Sequence, residues 1–137
     1  MVSLQKVFPA AGKYLIQALL HDLNGDEIRS NAVSIEVVQP VGLEQVAYRS
    51  ILESGQADYF FAGADAASDP ERYNEYETFS RIFQGTVYAD YANLTLGQLN
   101  EARGQIDTAR AFFSSVTKRS EYAAQKAAEA LKRFPAK

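Results

Sequence analysis

The segment YETFSRIFQGTVYADYANLTLGQL, residues 76–99, decides the fold. On both sides of Gln84 to Thr86, its aromatic and aliphatic residues recur every three or four positions, which is the spacing of amphipathic α-helices. Gly85 is typical of a helix end, and Thr86 is typical of the capping residue that opens the next helix. Because the connection is so short, the two helices are predicted to pack as an antiparallel hairpin.

Further helices are predicted on both sides of this hairpin. Upstream, Asp69 and Pro70 are a start signal, because a capping side chain precedes a proline at the first helical position. Downstream, Gly104 ends one helix and Ser120 opens the last. A short extra helix is predicted at residues 59–62. The residues expected to face the core are Val46, Ala47, Ile51, Leu52, Tyr73, Tyr76, Phe79, Ile82, Phe83, Ile106, Ala109, Phe113, Val116, Ala123, Ala127, Ala130, Leu131 and Phe134.

The first forty residues are predicted to form β-strands. Side chains alternate between the two faces from Lys13 to His21 and again from Val33 to Val38, which is the period of a strand. Between these stretches lies Asn24-Gly25, a pair that tolerates positive φ and predicts a tight hairpin turn.

A lone hairpin is marginally stable in water because it cannot cover its apolar face. Val2, Leu4 and Val7 favour a third strand before the hairpin. The sequence therefore predicts an α+β protein. Its β segment is expected at residues 1–40 and its all-α domain of helical hairpins at residues 43–137.

The helical part resembles the tetratricopeptide repeat, whose period is about 34 residues. Gly97, Ala109 and Phe113 stand at the offsets of its small eighth residue, its alanine and its second-helix aromatic. One period earlier, Gly63 and Phe79 stand at the small and aromatic positions, and Ile82 stands three residues after the aromatic. The resemblance implies an array of helical hairpins.

The chain also departs from that repeat. Asn93 and Asn100 replace aromatics of the first helix, Glu121 replaces the final proline, and Glu75 replaces an alanine. Such divergent repeats are similar to those of bacterial cell-envelope proteins. The resemblance implies a scaffold that binds other proteins and catalyses no reaction.

The β segment resembles the last two strands of bacterial immunoglobulin-like domains. Residues 8–14 match the entry to one of these strands, and Ser30-Asn31 matches the opening of the final one. The resemblance implies the remnant of a β-sandwich. We therefore expect the chain to be the C-terminal part of a larger bacterial protein that is periplasmic or secreted.

In tetratricopeptide repeats, ligands lie along a concave face built from the first helix of each repeat. The resemblance therefore implies a partner-binding face in this chain, made of Phe60, Tyr91, Leu94, Gln98, Glu101 and Lys132. Tyr91 beside Gln98 and Glu101 would offer a peptide an aromatic anchor with polar neighbours. The alternative is that Tyr91 and Leu94 pack against the β segment or the first helix.

The residue types argue against most enzyme chemistries. The chain contains no cysteine, so a disulfide, a thiol nucleophile and a cysteine-ligated zinc are excluded. His21 is the only histidine, which excludes a histidine-rich metal site. Neither a Gly-x-Ser-x-Gly elbow nor a phosphate-binding Gly-Lys-Ser/Thr loop occurs. We expect no enzyme activity, no cofactor and no metal.

Residues 22–26 imitate the opening of a calcium-binding loop. Such a loop also needs glycine at its sixth position and glutamate at its twelfth. Glu27 and Val33 occupy those positions, so a hairpin turn is the better interpretation. The apolar run at residues 14–20 is shorter than the roughly 20 residues of a membrane-spanning helix, so we expect no membrane insertion.

The net charge of −3 argues against a nucleic-acid-binding protein, which usually has a basic face. Between Glu53 and Glu77 there are seven acidic residues and one basic residue, whereas between Lys118 and Lys137 there are six basic and two acidic residues. Such asymmetry can steer a charged partner or favour head-to-tail self-contact. We expect a non-enzymatic protein-interaction module. The alternative is a structural spacer or a self-association domain of a larger envelope protein.

Overall fold

The computed structural model describes residues 10–54, residue 60 and residues 68–134. In chain order its elements are β1 (Gly12–Ile16), β2 (Leu19–His21), β3 (Glu27–Arg29), β4 (Val33–Val37), α1 (Leu43–Glu53), α2 (Pro70–Ile82), α3 (Val87–Ala102), α4 (Ile106–Ser115) and α5 (Glu121–Arg133). The expected α+β class is confirmed. The chain divides into two compact units between Gln39 and Pro40. The third strand expected near Val2 and most of the short helix expected at residues 59–62 lie outside the described residues.

The β unit contains two antiparallel two-stranded sheets, β1 with β4 and β2 with β3. In β1 and β4, Tyr14 lies opposite Ile35 and Ile16 opposite Val33. Since directly opposite residues of an antiparallel pair share one face of the sheet, these four side chains form an apolar face. Glu36 and Ser34 lie on the other face, opposite Lys13 and Leu15.

A β-bulge at Ser30 connects the two sheets. The amide of Ser30 donates to the carbonyl of Ala18 (3.0 Å), and the hydroxyl of Ser30 accepts from the amide of Ala18 (2.9 Å). The next pair along the ladder is Ile16 with Val33. One residue lies between Ile16 and Ala18 on the first side, but two residues lie between Ser30 and Val33 on the second side. The extra residue reverses the side-chain alternation, so Val33 shares a face with Ile16. The alternation in the sequence alone did not reveal this bulge.

The turn of the hairpin has five residues, 22–26, between β2 and β3. Gly25 has a φ of 87°, and no residue other than glycine has a positive φ among those described. A hairpin turn therefore forms where Asn24-Gly25 predicts one, but it is not a two-residue type I′ turn, which needs positive φ at both positions. Instead, Oδ1 of Asp22 accepts the amides of Asn24 and Asp26, each at 2.8 Å. The Asp22 carboxylate therefore stabilises the turn by accepting these backbone amides.

The helix starts predicted from capping residues are confirmed. An N-cap side chain accepts a hydrogen bond from a backbone N–H that has no partner inside the helix. The pairs are Asp69 Oδ1 with Glu71 N (2.8 Å), Thr86 Oγ1 with Ala89 N (3.1 Å) and Ser120 Oγ with Ala123 N (3.1 Å). Gly85 and Gly104, each close after a helix end, have φ values of 84° and 73°. These helix starts and ends could be predicted from the sequence because each depends on a few neighbouring residues.

Helix α3 is the centre of the helical unit and packs against α1, α2, α4 and α5. It separates two apolar clusters, which explains why it is buried on nearly all sides. The first cluster contains Ala47, Ile51, Phe60, Tyr76, Phe79, Phe83, Ala89, Ala92, Leu96 and Leu99. The second contains Leu94, Ala109, Phe113, Ala123, Ala127 and Ala130.

Four residues expected to face the core are exposed instead. They are Val46 and Leu52 of α1, Ile82 of α2 and Ile106 of α4. In α1 the core-facing stripe consists of Ala47 and Ile51, and Val46 and Leu52 lie beside it. In α2 the stripe is Tyr76 and Phe79, and Ile82 lies beside it with 60% of its surface exposed.

Gly97 and Phe113 join α3 to α4 at very close range. A Cβ atom added to Gly97 would lie 2.6 Å from two ring carbons of Phe113, too close for any real contact. Phe113 is buried in the second cluster and cannot swing into solvent. Glycine at this position is therefore required by packing, as expected for a small residue facing an aromatic one.

Candidate functional site

Four of the six predicted partner-binding residues lie on one stripe of α3, since Tyr91, Leu94, Gln98 and Glu101 are spaced at helical intervals. The structure places α5 along this stripe. Near the start of both helices, the ring of Tyr91 stacks on Tyr122 with centroids 6.3 Å apart. Near the end of both helices, Glu101 pairs with Arg133 at 2.8 Å. Helices α3 and α5 therefore run parallel and in contact.

The ion pair between Glu101 and Arg133 is bidentate. Nη2 of Arg133 donates to both carboxylate oxygens of Glu101 at 2.8 Å, and its Nε donates to one of them at 3.1 Å. This geometry fixes the register of the two helices. Both side chains are accessible to water, so the pair contributes less than about 1 kcal/mol to the free energy of unfolding.

Two of the predicted binding residues are core residues. Phe60 is 1% exposed, stacks on Tyr76 with centroids 5.2 Å apart, and accepts the Tyr76 hydroxyl at its carbonyl oxygen (2.8 Å). Leu94 is 5% exposed and belongs to the second cluster, which is built by α4 and α5. Side chains so deeply buried have almost no surface for a partner.

Lys132 is exposed but lies off the seam between α3 and α5. It precedes Arg133 by one residue, which places it about 100° around the helix from the side chain that contacts α3. The residues accompanying Tyr91, Gln98 and Glu101 are instead Tyr122 and Arg133. We call these five residues the α3–α5 face. Gln98 is exposed between the aromatic pair and the ion pair, and half of the Tyr122 side chain is accessible.

Tyr122 and Arg133 were missed in the sequence. They follow their partners Tyr91 and Glu101 by 31 and 32 residues, two or three short of the repeat length of about 34. A step of 34 residues leads from Gln98 to Lys132, and the same step from Tyr91 leads to Gln125 instead of Tyr122. The repeat spacing alone therefore does not identify these two residues.

A buried carboxylate holds the start of α3 against the connection between α4 and α5. Asp90 is 1% exposed. Its Oδ1 accepts the amide of Thr117 (2.7 Å), and its Oδ2 accepts the Thr117 hydroxyl (2.8 Å) and the amide of Ser120 (3.3 Å). Asp90 lies in the first turn of α3, and Ser120 is the N-cap of α5, so two helix N-termini favour its negative charge. This contact positions α5 on the α3–α5 face.

Helix α1 is held at the same end of α3. Oε1 of Glu44 accepts the amide of Val87 at 2.9 Å, while its buried Oε2 has no hydrogen-bond partner among the described residues. The rings of Tyr48 and Tyr88 stack with centroids 6.0 Å apart. Burial raises the pKa of Tyr88 above its ordinary value, and the charges of Glu44 and Tyr48 raise it further. The tyrosine is therefore neutral at physiological pH.

The outer surface of α5 carries one local charge network. Glu129 accepts hydrogen bonds from Gln125 (3.0 Å) and from Lys126 (3.1 Å). These two hydrogen bonds, together with the positive charge of Lys126, lower the pKa of Glu129. The carboxylate is therefore ionised near neutral pH, and α5 presents charges of both signs.

The part of the chain that the structure describes contains no group of three or more histidine, aspartate or glutamate side chains arranged to hold a metal ion. Across the same residues, no helix is long and apolar enough to cross a membrane. No protein-family model, characterised protein or solved structure matches the chain significantly. Any functional conclusion therefore depends on the geometry of the helical unit.

Proposed function

We propose that the helical unit is a non-enzymatic protein-interaction module with a tetratricopeptide-repeat-like arrangement. The observation that carries the proposal is the parallel packing of α3 and α5, with Tyr91 on Tyr122 at one end and Glu101 on Arg133 at the other. Between these contacts Gln98 is exposed on the same stripe. A parallel pair of helices one repeat apart is the arrangement that the resemblance implies for a ligand-binding face.

The chemistry of this face suits an extended peptide. The two stacked tyrosine rings offer a flat apolar anchor that loses little conformational entropy on binding. The amide of Gln98 can donate to and accept from a peptide backbone, and Arg133 has guanidinium donors besides those bonded to Glu101. An aromatic anchor surrounded by polar groups is the usual composition of an energetically important interface centre.

The proposal is tested with the full chain as bait. It is immobilised and incubated with extract of the source organism, captured proteins are identified by mass spectrometry, and the strongest is purified and titrated. We expect saturable binding that Tyr91→Ala combined with Gln98→Ala weakens by at least about 10-fold, since anchors of this kind contribute 2 kcal/mol or more. Unchanged affinity of the folded double variant would show that the α3–α5 face does not bind that protein.

Because Tyr91 also packs against the first cluster, a second pair of variants separates binding from folding. Gln98→Arg places a long cation on the face and is expected to weaken binding. Thr108→Arg introduces the same side chain at an exposed position of α4 and is expected to leave the affinity unchanged. Circular dichroism spectra and melting curves of both variants should match those of the parent chain.

The alternative function is a structural spacer or self-association domain of a larger envelope protein, periplasmic or secreted. It is favoured by the contrast between the acidic segment at residues 53–77 and the basic segment at residues 118–137. Exposed charges are screened beyond about 8–10 Å at physiological salt, so oligomers held by these segments should dissociate as salt is raised. Sedimentation velocity at low and high salt decides this point, and a concentration-independent monomer at low salt contradicts self-association.

A further inference from the structure

A groove lies between the end of α1 and the outer side of α2, and none of its lining residues belongs to the α3–α5 face. Its volume is about 410 Å³, within the range of pockets that hold small ligands or protruding side chains. The lining residues are Ser50, Ser54, Glu71, Asn74, Glu75, Thr78, Phe79, Ile82 and Phe83. All of them belong to the helical unit.

The groove has an apolar floor. The rings of Phe79 and Phe83 are 4.6 Å apart, and both residues are otherwise buried in the first cluster. Ile82, between them in sequence, is mostly exposed and lines the same groove. An exposed isoleucine beside two phenyl rings gains free energy when an apolar group covers it.

The walls of the groove are polar and acidic. Glu71 and Glu75 are four residues apart and therefore lie on one side of α2. Neither lysine nor arginine occurs among the described residues that line the groove. Glu71 and Glu75 also belong to the acidic stretch of sequence that runs from Glu53 to Glu77. Its charge therefore favours a cationic partner.

The position of α1 is fixed by contacts away from the groove. Glu44 bonds to the amide of Val87, and Tyr48 stacks on Tyr88, so the start of α1 is tied to α3. Ala47 and Ile51, on the inner stripe of α1, are buried in the first cluster. Ser50 and Ser54 are thereby held at the rim. A groove formed in advance binds without the entropy cost of ordering its walls.

We propose that this α1–α2 groove binds a segment of another protein that presents one large apolar side chain flanked by lysine or arginine. The apolar side chain covers the exposed Ile82, beside the nearly buried rings of Phe79 and Phe83. The flanking cations lie against the carboxylates of Glu71 and Glu75. This site shares no residue with the α3–α5 face, so either site can fail in experiment while the other is supported.

The test uses the full chain and three fluorescein-labelled peptides of equal length. The first has phenylalanine between two pairs of lysines, the second has serine in place of the phenylalanine, and the third has glutamates in place of the lysines. We expect saturable fluorescence-anisotropy binding of the first peptide and affinities at least about 10-fold weaker for the other two. In an NMR titration with the first peptide, the amides of Ser50, Asn74 and Thr78 should shift.

Matched variants connect that binding to the groove. Ile82→Thr removes exposed apolar surface, and Val46→Thr is its control at an exposed position of α1 outside the groove. Glu71→Gln removes a groove charge, and Glu77→Gln removes an exposed charge of α2 outside the groove. We expect each groove variant to weaken binding of the first peptide and each control to leave it unchanged.

Three results overturn the proposal. Equal affinity for the lysine and glutamate peptides would show that charge does not select the occupant. Equal affinities of the groove variants and their controls would place the peptide elsewhere. Concentration-dependent oligomers of the chain itself that Ile82→Thr abolishes and Val46→Thr preserves would identify the occupant as a second copy of this chain.

Discussion

Gly97 shows how one atom can decide the packing of two helices. Glycine in the middle of a helix usually costs about 0.5–1 kcal/mol relative to alanine, so propensity alone favours Gly97→Ala. The Phe113 ring opposes it, because a Cβ would lie 2.6 Å from two of its carbons. Overpacking a tight core costs about 1–3 kcal/mol, which exceeds the propensity gain. The steric effect is therefore expected to dominate.

We expect Gly97→Ala to lower the free energy of unfolding by about 1–2 kcal/mol, measured by urea denaturation. Phe113→Leu supplies the control, since a smaller side chain leaves room for the added methyl group. In a double-mutant cycle, Gly97→Ala should therefore cost less in the Phe113→Leu background than in the parent chain. A Gly97→Ala variant more stable than the parent would contradict the close approach of α3 and α4.

Single residues differ in how well the sequence predicts them. Asp69, Thr86 and Ser120 were readable as caps because each bonds to a backbone amide two or three positions ahead. Asp90 was not readable, since it bonds to Thr117, 27 residues away. A lone aspartate in the first turn of a helix is common because the helix dipole stabilises a negative charge at that end. Nothing near it in the sequence marks it as buried.

At the scale of elements, the hydrogen bonds of Asp90 connect α3 to the segment between α4 and α5. Replacing it with alanine leaves the amide and hydroxyl of Thr117 and the amide of Ser120 without their acceptor. Hydrogen bonds to charged groups contribute about 1.5–3 kcal/mol each, and a buried donor without an acceptor adds a desolvation cost. The loss should be concentrated where α5 joins the unit.

We expect Asp90→Ala to lower the free energy of unfolding by about 2–4 kcal/mol in chemical denaturation. Hydrogen exchange should also accelerate at residues 117–123, the connection and first turn of α5. Asp107→Ala is the matched control, because Asp107 is an exposed aspartate in the first turn of α4. If the two variants lost similar stability, the hydrogen bonds of Asp90 would not be what holds α5 to the rest of the helical unit.

The helices themselves were predictable, but the sides they bury were predictable only in part. Periodicity identified α2, yet it assigned Ile82 to the same side as Phe79 and Phe83. Residues three or four apart all fit one broad stripe, and the neighbouring elements decide which of them is covered. The same limit applies to the β-bulge at Ser30, which reverses an alternation that the sequence shows on each side of it.

The residues predicted for the candidate site differ in where the structure places them. The resemblance to the tetratricopeptide repeat implied Tyr91, Gln98 and Glu101, and these three residues lie on one stripe of α3. Phe60 and Leu94 were assigned to the same surface, but core clusters bury them. A repeat pattern locates positions on a helix, whereas the local cluster decides how much of each side chain remains accessible. The binding role of the exposed members stays a prediction.

At the scale of the whole molecule, burial is distributed very unevenly between the two units. Every buried apolar residue among those described lies in the helical unit, from Ala47 to Ala130. The apolar residues of the β unit, including Leu15, Leu20 and Ile28, are exposed or at most half-buried. Because burial of apolar surface is the main favourable contribution to folding, stability should be concentrated in residues 40–137.

We therefore expect a fragment of residues 40–137 to fold alone. Its circular dichroism should show the helical content of the full chain, and its melting temperature should lie within about 5 °C of the parent, a shift that corresponds to roughly 1 kcal/mol for a domain of this size. A fragment of residues 10–39 is expected to lack cooperative unfolding, since an isolated hairpin is marginally stable. Gly97→Ala in the helical fragment should reproduce the loss seen in the full chain. If the helical fragment melted far below the parent, or if residues 10–39 unfolded cooperatively, burial within each unit would not determine its stability.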